Sequence, residues 1–185
     1  MNRQEAIAII LSKVKQKDAV ISTTGMISRE AAQAQDRQGN FYMIGSMGLA
    51  SSFALGVALN SQKRVFILEG DGSALMDLGT LANIAAAKVK NLIHIVLDNQ
   101  TYQSTGDQPT ISRQVSLEKV ALACGYRKVF KINDTSRLAA LMSNLPESGP
   151  VFILIKVAGK SPYPAKRVGL APDKITVRMI NFLRK

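Results

Sequence analysis

Apolar residues follow two different periods along the chain. Between Ala6 and Val14 they recur at helical spacing, which predicts a helix over 2–16. Short apolar runs bounded by turn residues predict strands instead. The predicted strands cover 19–22, 41–44, 64–70, 91–99, 126–132 and 150–157, and the predicted helices cover 2–16, 27–36, 47–59, 74–88, 115–123, 134–145 and 173–183.

The alternation of short apolar strands with helices is typical of the α/β class. It predicts a single domain over 1–185, built on a mostly parallel sheet with helices on both faces. Two stretches show no period: a polar loop at 100–114, and a linker at 158–172 that is rich in Pro, Gly and Lys. A loop as long as 100–114 inside a compact domain usually carries function, so we expect it to belong to a site.

Composition narrows the class of protein. Of the 185 residues, 46% are hydrophobic and 20% are charged, which excludes disordered and fibrous classes. One Cys and one His exclude an internal disulfide and a His/Cys zinc site. The N-terminus lacks a signal-peptide cleavage pattern, and apolar runs such as 151–155 are too short to cross a bilayer. We therefore expect a cytoplasmic protein in a reducing compartment.

The net charge of +11 raises the possibility of nucleic-acid binding. However, residues 156–185 contain eight basic residues and one acid, so most of the excess lies at the C-terminus, in a linker and a helix at about 158–185. No aromatic-and-basic RNA-binding motif accompanies it. The basic helix is therefore a solvated face, a docking surface for an acidic partner, or an attractor of an anionic substrate.

The strongest candidate site is a turn after the predicted strand 64–70. There Gly70 and Gly72 flank Asp71, and a helix begins near Ser73. In open parallel sheets, ligands bind beyond the carboxyl ends of the strands, and a helix start offers free N–H groups to phosphate. An Asp in such a turn repels phosphate unless a divalent cation lies between them. The alternative is an ordinary strand-to-helix turn.

Two further turns strengthen this interpretation. The next strand ends in LDNQTY, where the Asn99 amide oxygen and the Thr101 carbonyl can join Asp71 as ligands of Mg²⁺, which prefers hard oxygen donors. The segment GSMG at 45–48 also follows a predicted strand. If the strands are neighbours, all three turns meet at one edge of the sheet.

These residues resemble a known family. GDGS at 70–73, followed by Asn99 after the 26 residues 73–98, resembles the diphosphate-binding motif of thiamine-diphosphate enzymes. With STTGMISRE, NFYMIGSMGLASSFALGVAL and YQSTGDQPT, most of 5–157 resembles the C-terminal half of phosphonopyruvate decarboxylase. It resembles still more the separate beta subunit of sulfopyruvate decarboxylase. One departure is Asp98, where many relatives have Asn.

The resemblance implies a thiamine-diphosphate-binding fold, the cofactors thiamine diphosphate and Mg²⁺, and a small anionic 2-oxoacid substrate. Metal ligands would be Asp71, Asn99 and the carbonyl of Thr101. Gly45 and Met47 would hold the aminopyrimidine, with the Met47 side chain forcing the bent cofactor shape. The cofactor-binding set would be Thr24, Gly45, Ser46, Met47, Gly70, Asp71, Gly72, Ser73, Asn99, Thr101 and Tyr102.

The family's activating Glu, which hydrogen-bonds the pyrimidine ring, lies in a separate domain that this chain is too short to include. Glu30 and Glu69 lie within or beside the diphosphate-binding segments and are poor substitutes. A pyrimidine-binding alpha subunit would therefore supply the carboxylate in a hetero-oligomer, with no nucleic acid or membrane involved. No catalytic residue of this chain is assigned with certainty.

Substrate candidates are Arg29, which could pair with a sulfonate or phosphonate, and Ser104 and Thr105 in the long loop. Each could equally be structural. His94, among Leu and Ile, is interpreted as a buried sheet histidine. The predicted function is decarboxylation of 3-sulfopyruvate. The alternatives are phosphonopyruvate decarboxylase, an acetolactate-synthase-like enzyme, a non-catalytic cofactor-binding subunit, and a nucleic-acid-binding protein.

Overall fold

The computed structural model describes residues 1–158 and 165–185. Its main sheet has six strands in the order β2-β1-β3-β4-β8-β7, and every neighbouring pair is parallel. The strands of this sheet are β1 (Ala19–Ser22), β2 (Asn40–Tyr42), β3 (Val65–Gly70), β4 (Leu92–Asp98), β7 (Lys128–Ile132) and β8 (Val151–Lys156). A separate antiparallel hairpin pairs β5 (Thr101–Tyr102) with β6 (Gln108–Pro109).

Helices cover both faces of the sheet, as the α/β prediction requires. They are α1 (Arg3–Lys13), α2 (Met26–Ala34), α3 (Ala50–Leu59), α4 (Asp71–Met76), α5 (Gly79–Ala87), α6 (Leu117–Cys124), α7 (Thr135–Ser143) and α8 (Pro172–Leu183). One core cluster joins α1, α2 and α7 to the sheet, and the other joins α3, α5 and α6. The central strands β3, β4 and β8 are buried almost throughout because both faces are covered.

The predicted helix 74–88 is wrong as one element, because it is broken after α4. The Asp77 carboxylate accepts hydrogen bonds from the hydroxyls of Ser52, at 2.9 Å, and Thr80. Asp77 leaves the helical conformation, with φ −136° and ψ 54°, before α5 begins at Gly79. An Asp side chain that captures nearby donors competes with regular helix, which explains the break.

The loop 100–114 is more ordered than its sequence indicates. It contains the β5–β6 hairpin and a 3₁₀ turn at Ile111–Arg113, and Thr110 and Ser112 are buried. Gln100 and Asp107, which directly precede β5 and β6, have positive φ values of 63° and 61° that let the chain turn into each strand.

The C-terminal helix α8 packs beside β2 through Ile175, Met179 and Phe182. Arg178 donates to Asp36 at 2.9 Å and to the Asn40 carbonyl at 2.8 Å. Lys174 and the last two residues, 184–185, are exposed, so the solvated-face interpretation holds for part of the helix. Residues 159–164 of the predicted linker, including Lys160, lie outside the described residues. Within the part of the chain that is described, no helix has the length and apolar character needed to span a membrane.

Candidate functional site

A cavity of about 260 Å³ lies at the carboxyl ends of β1, β3 and β4. Its walls come from residues 23–27, 70–73 and 97–104, with the exception of Asp98 and Gln100. Arg3 and Met47 complete the lining. This is the edge at which the sequence places its turns, and β1, β3 and β4 are neighbours in the sheet. The lining includes most of the predicted cofactor-binding set, namely Thr24, Met47, Gly70, Asp71, Gly72, Ser73, Asn99, Thr101 and Tyr102.

Asp71 begins α4 with a carboxylate that is nearly excluded from solvent, since the residue is 1% exposed. Its Oδ2 accepts a hydrogen bond from the Thr110 hydroxyl. Burial raises the pKa of Asp71, and the negative charge of Asp98 raises it further, while the bonds from Thr110 and Ser112 act in the opposite direction. A carboxylate that is costly to ionise in this way gains from a nearby cation.

The end of β4 supplies the other predicted oxygen donors. Asn99 accepts a hydrogen bond from the Thr101 amide at 3.2 Å, and its buried Nδ2 has no hydrogen-bond partner among residues 1–158 and 165–185. A buried carboxylate with amide and carbonyl oxygens suits the hard-oxygen preference of Mg²⁺. The described residues contain no cluster of three or more His, Cys, Asp or Glu side chains suited to a metal, and the predicted ligand set includes one carboxylate, that of Asp71.

Gly72 is required by close packing. A Cβ atom at this position would lie 2.4 Å from Cε1 of Tyr102, because the tyrosine ring rests on the backbone of the GDG turn. The Tyr102 ring therefore links the β4–β5 segment to the start of α4. A side chain larger than hydrogen at position 72 would push that ring away.

Ser73 connects the GDG turn to the 45–48 turn and to the end of β1. Its hydroxyl donates to Glu69 Oε1 at 2.6 Å, lies 3.0 Å from Thr23 Oγ1 and accepts from the Gly48 amide at 3.1 Å. Ser46 and Gly48 have positive φ values of 57° and 97°, which shape the 45–48 turn. Gly45 and Ser46 line a different, smaller cavity beside Pro172. Of the residues 45–48, only Met47 lines the cavity that contains Asp71.

Not every substrate candidate lies at the cavity. Ser104 lines it, whereas Thr105 does not and bonds instead within its own loop, to Gln108 at 2.8 Å. Arg29 lines a separate cavity with Asp36, Lys166 and neighbouring residues. The structure therefore does not bring Arg29 or Thr105 together with Asp71.

Sequence reasoning missed two contributors. Thr110 is the last residue of YQSTGDQPT, but it contacts Asp71, 39 positions away, and no local sequence pattern indicates such a contact. Arg3 lines the cavity from the first turn of α1 and pairs with Glu30, 27 positions away. An Arg at the start of a predicted helix does not indicate which distant residue it pairs with.

Glu69 and His94 form a buried polar pair beneath the cavity. They are 0% and 1% exposed, and His94 Nε2 lies 2.9 Å from Glu69 Oε2. His94 Nδ1 lies 3.3 Å from the Tyr126 hydroxyl, and its ring meets Phe152 edge-on at 5.2 Å. The interpretation of His94 as a buried sheet residue is confirmed.

Replacing His94 by Phe is expected to destabilise the chain by about 3 kcal/mol, because Glu69 would lose a buried hydrogen bond while staying buried. Urea unfolding followed by circular dichroism measures the change. The matched double variant His94→Phe, Glu69→Gln should recover part of the loss, since it removes the buried carboxylate as well. A single variant as stable as the wild type would contradict this account.

Comparison with known proteins places these observations in a family. The family model "Thiamine pyrophosphate enzyme, C-terminal TPP binding domain" matches residues 23–155. A phosphonopyruvate decarboxylase of Streptomyces hygroscopicus is 41% identical over 181 residues, covering 97% of this chain and 45% of that protein. The chain thus spans less than half the length of that relative.

Shorter relatives match end to end. A sulfopyruvate decarboxylase subunit beta of Methanococcus maripaludis is 35% identical over 185 residues, covering 100% of this chain and 99% of that one. The corresponding subunit of Methanothermobacter thermautotrophicus is 38% identical, with 100% and 96% covered.

A solved structure from Mycobacterium smegmatis, of an enzyme assigned as thiamin diphosphate-dependent, aligns with a TM-score of 0.63 at 19% identity. The alignment covers 86% of this chain and 32% of the chain in the solved structure, and it supports the fold. The family match begins directly after β1 and includes the ends of β3 and β4 and the segments 23–27, 70–73 and 97–104. The chain therefore belongs to the family of C-terminal TPP-binding domains of thiamine pyrophosphate enzymes.

Proposed function

We propose that the chain is the diphosphate-binding subunit of a thiamine-diphosphate-dependent decarboxylase that converts 3-sulfopyruvate to sulfoacetaldehyde and CO₂. The observation that carries this proposal is the end-to-end match with proteins named sulfopyruvate decarboxylase subunit beta, covering 100% of this chain and 99% of one relative. The cavity at the sheet edge, with the GDG turn and Asn99 in its wall, supports it.

The donor set fits thiamine diphosphate with Mg²⁺. Asp71, Asn99 and the carbonyl of Thr101 would hold the metal, and Gly72 and Ser73 would contact the diphosphate. When bound, thiamine diphosphate supplies the electron sink that makes loss of CO₂ from a 2-oxoacid possible. The chain's own contribution is to bind and orient that cofactor, with Met47 in the cavity wall on the side of the 45–48 turn.

The activating carboxylate is proposed to come from a pyrimidine-binding partner subunit. Both glutamates of this chain near the site are already engaged: Glu30 accepts two hydrogen bonds from Arg3, and Glu69 bonds Ser73 and His94. They are 2% and 0% exposed. The name "subunit beta" of the end-to-end relatives supports an assembly of unlike chains.

A second candidate substrate is 3-phosphonopyruvate, favoured by the 41% identity to a phosphonopyruvate decarboxylase over 97% of this chain. Both candidates are 2-oxoacids that end in a tetrahedral oxyanion. They differ in charge, since a phosphonate can carry two negative charges and a sulfonate only one.

A substrate panel tests the proposal. The chain, mixed with its partner subunit, thiamine diphosphate and Mg²⁺, is assayed for CO₂ release from 3-sulfopyruvate, 3-phosphonopyruvate and pyruvate. We expect kcat/KM for 3-sulfopyruvate to exceed that for pyruvate by about 100-fold, because a site built for a polar group rejects substrates that lack it. A preference for 3-phosphonopyruvate would select the second candidate. Condensation of two pyruvates without a preference for an anionic end group would favour an acetolactate-synthase-like enzyme.

A further inference from the structure

Arg3 is a buried cation in the wall of the cavity. The residue is 5% exposed, although Arg at a helix start normally lies in solvent. Asn2 fixes the start of α1 by a capping box: its side chain accepts from the Glu5 amide at 2.9 Å, and Glu5 accepts from the Asn2 amide at 2.9 Å. The first residue of the helix is thus placed where its side chain reaches the cavity.

Glu30 on α2 fixes the orientation of the guanidinium. Arg3 donates from Nε to Glu30 Oε2 at 2.7 Å and from Nη2 to Glu30 Oε1 at 2.8 Å, a bidentate arrangement. Nη1 makes no hydrogen bond with any residue in the described ranges. The pairing with Glu30 therefore leaves Nη1 available to donate hydrogen bonds to a ligand in the cavity.

A buried ion pair is weak evidence of a purely structural role. Desolvating two charges often costs as much as their attraction returns, and apolar residues of similar volume commonly serve stability as well. The location of the Arg3–Glu30 pair in a ligand-sized cavity therefore favours a role in binding.

The cavity contains few charges. Among the described residues that line it, Arg3 and Asp71 are the charged ones. Asp71 is assigned to the metal. Among these lining residues, Arg3 is then the charged group that remains to bind an anionic ligand. Arg29, the candidate drawn from the sequence, lines the separate cavity beside Lys166.

We propose that Arg3, oriented by Glu30, binds the anionic end group of the substrate and so selects 2-oxoacids that end in a sulfonate or phosphonate. This inference rests on the proposed function and adds the residue that determines its specificity. The diphosphate of the cofactor is an alternative ligand for Arg3, because it also presents tetrahedral oxyanions. The residues assigned to the diphosphate follow β3, whereas Arg3 belongs to α1 and is held by α2, so we assign Arg3 to the substrate.

The test compares Arg3→Met with three other variants in the complex of this chain with its partner. The double variant Arg3→Gln, Glu30→Gln keeps a hydrogen-bonding pair without the charges, in case the single variant folds poorly. Arg37→Met removes another buried arginine, 4% exposed, which bonds the Asp18 carbonyl that precedes β1 and so lies at the other edge of the sheet. Arg29→Met tests the competing candidate.

Three quantities are measured for each variant: kcat/KM for 3-sulfopyruvate and for pyruvate, calorimetric binding of the unreactive analogues 3-sulfopropionate and propionate, and affinity for thiamine diphosphate. In Arg3→Met and in the double variant we expect kcat/KM for 3-sulfopyruvate to fall by about 100-fold, with similar loss of 3-sulfopropionate affinity. Pyruvate turnover and cofactor affinity should change by less than about threefold. Arg37→Met should keep the ratio between the two substrates.

Equal losses on both substrates would overturn the proposal, because Arg3 would then be structural. Weakened cofactor binding with an unchanged substrate ratio would overturn it in favour of the diphosphate, and a selective loss in Arg29→Met alone would overturn it in favour of Arg29. If the wild-type complex decarboxylates no 2-oxoacid, the proposed function fails. Arg3-dependent binding of 3-sulfopropionate would still support the anion site in that case, and binding that is independent of Arg3 would overturn it.

Discussion

Purified alone, the chain is expected to release no CO₂ from 3-sulfopyruvate, and addition of the partner subunit is expected to raise the rate by at least about 1,000-fold. The reason is a missing proton transfer. General acid–base groups contribute about 10²–10⁴-fold in enzymes, and the two glutamates nearest the cavity are already hydrogen-bonded within the fold. The measurement is CO₂ release with saturating thiamine diphosphate and Mg²⁺, with and without the partner.

A matched control separates assembly from chemistry. Replacing the partner's candidate activating Glu by Gln should leave assembly with this chain intact, as sedimentation would show, while activity stays near that of the chain alone. Turnover by this chain alone at any concentration would instead place the acid–base group within it. Glu30→Gln and Glu69→Gln would then identify which carboxylate is responsible.

Replacing Asp71 by Asn is expected to weaken Mg²⁺-dependent binding of thiamine diphosphate by at least about 100-fold while the fold survives. The one carboxylate of the proposed metal site is lost, and an amide is a much weaker ligand for a hard dication. The Thr110 hydroxyl that bonds Asp71 can also bond an amide oxygen. Calorimetry with and without Mg²⁺ measures the effect, and unchanged affinity would contradict the metal assignment.

The same substitution is expected to change how stability depends on pH in the absence of cofactor. Burial and Asp98 raise the pKa of Asp71 above its ordinary value of 3.8, so the folded chain holds this proton more tightly than the unfolded chain does. The stability contributed by the protonated carboxyl is lost as the pH rises from 3.8 through the raised pKa. Asp71→Asn should remove this loss, which urea unfolding at a series of pH values would show, and Asp77→Asn serves as a control outside the cavity.

The fold could be predicted because each strand is a short apolar run, whereas the apolar residues of the helices recur at helical spacing. The meeting of the turns after β3 and β4 also followed, since these strands are parallel neighbours with Gly70 opposite Leu97. The 45–48 turn follows β2, which β1 separates from β3. The break at Asp77 could not be predicted, because it depends on the Ser52 hydroxyl from another helix.

The remainder of the site depends on contacts between distant positions. Arg3 and Glu30 lie 27 residues apart, and Thr110 and Asp71 lie 39 apart, so no local pattern marks either pair. Arg29, adjacent to Glu30 in sequence, lines another cavity because successive residues on a helix point in different directions. The segment STTGMISRE marked α2, but it could not show that Met26 and Ile27 line the cavity whereas Arg29 does not.

The Ser73 hydroxyl, which bonds Glu69, the Gly48 amide and Thr23, has a consequence for binding kinetics. Because one buried atom joins three segments, those segments are ordered when the chain folds and before any cofactor arrives. The entropy of arranging them is then lost during folding and not during binding. Binding of the cofactor to these segments should therefore proceed in one kinetic phase. Any slow step observed on mixing would belong to the docking of the two subunits.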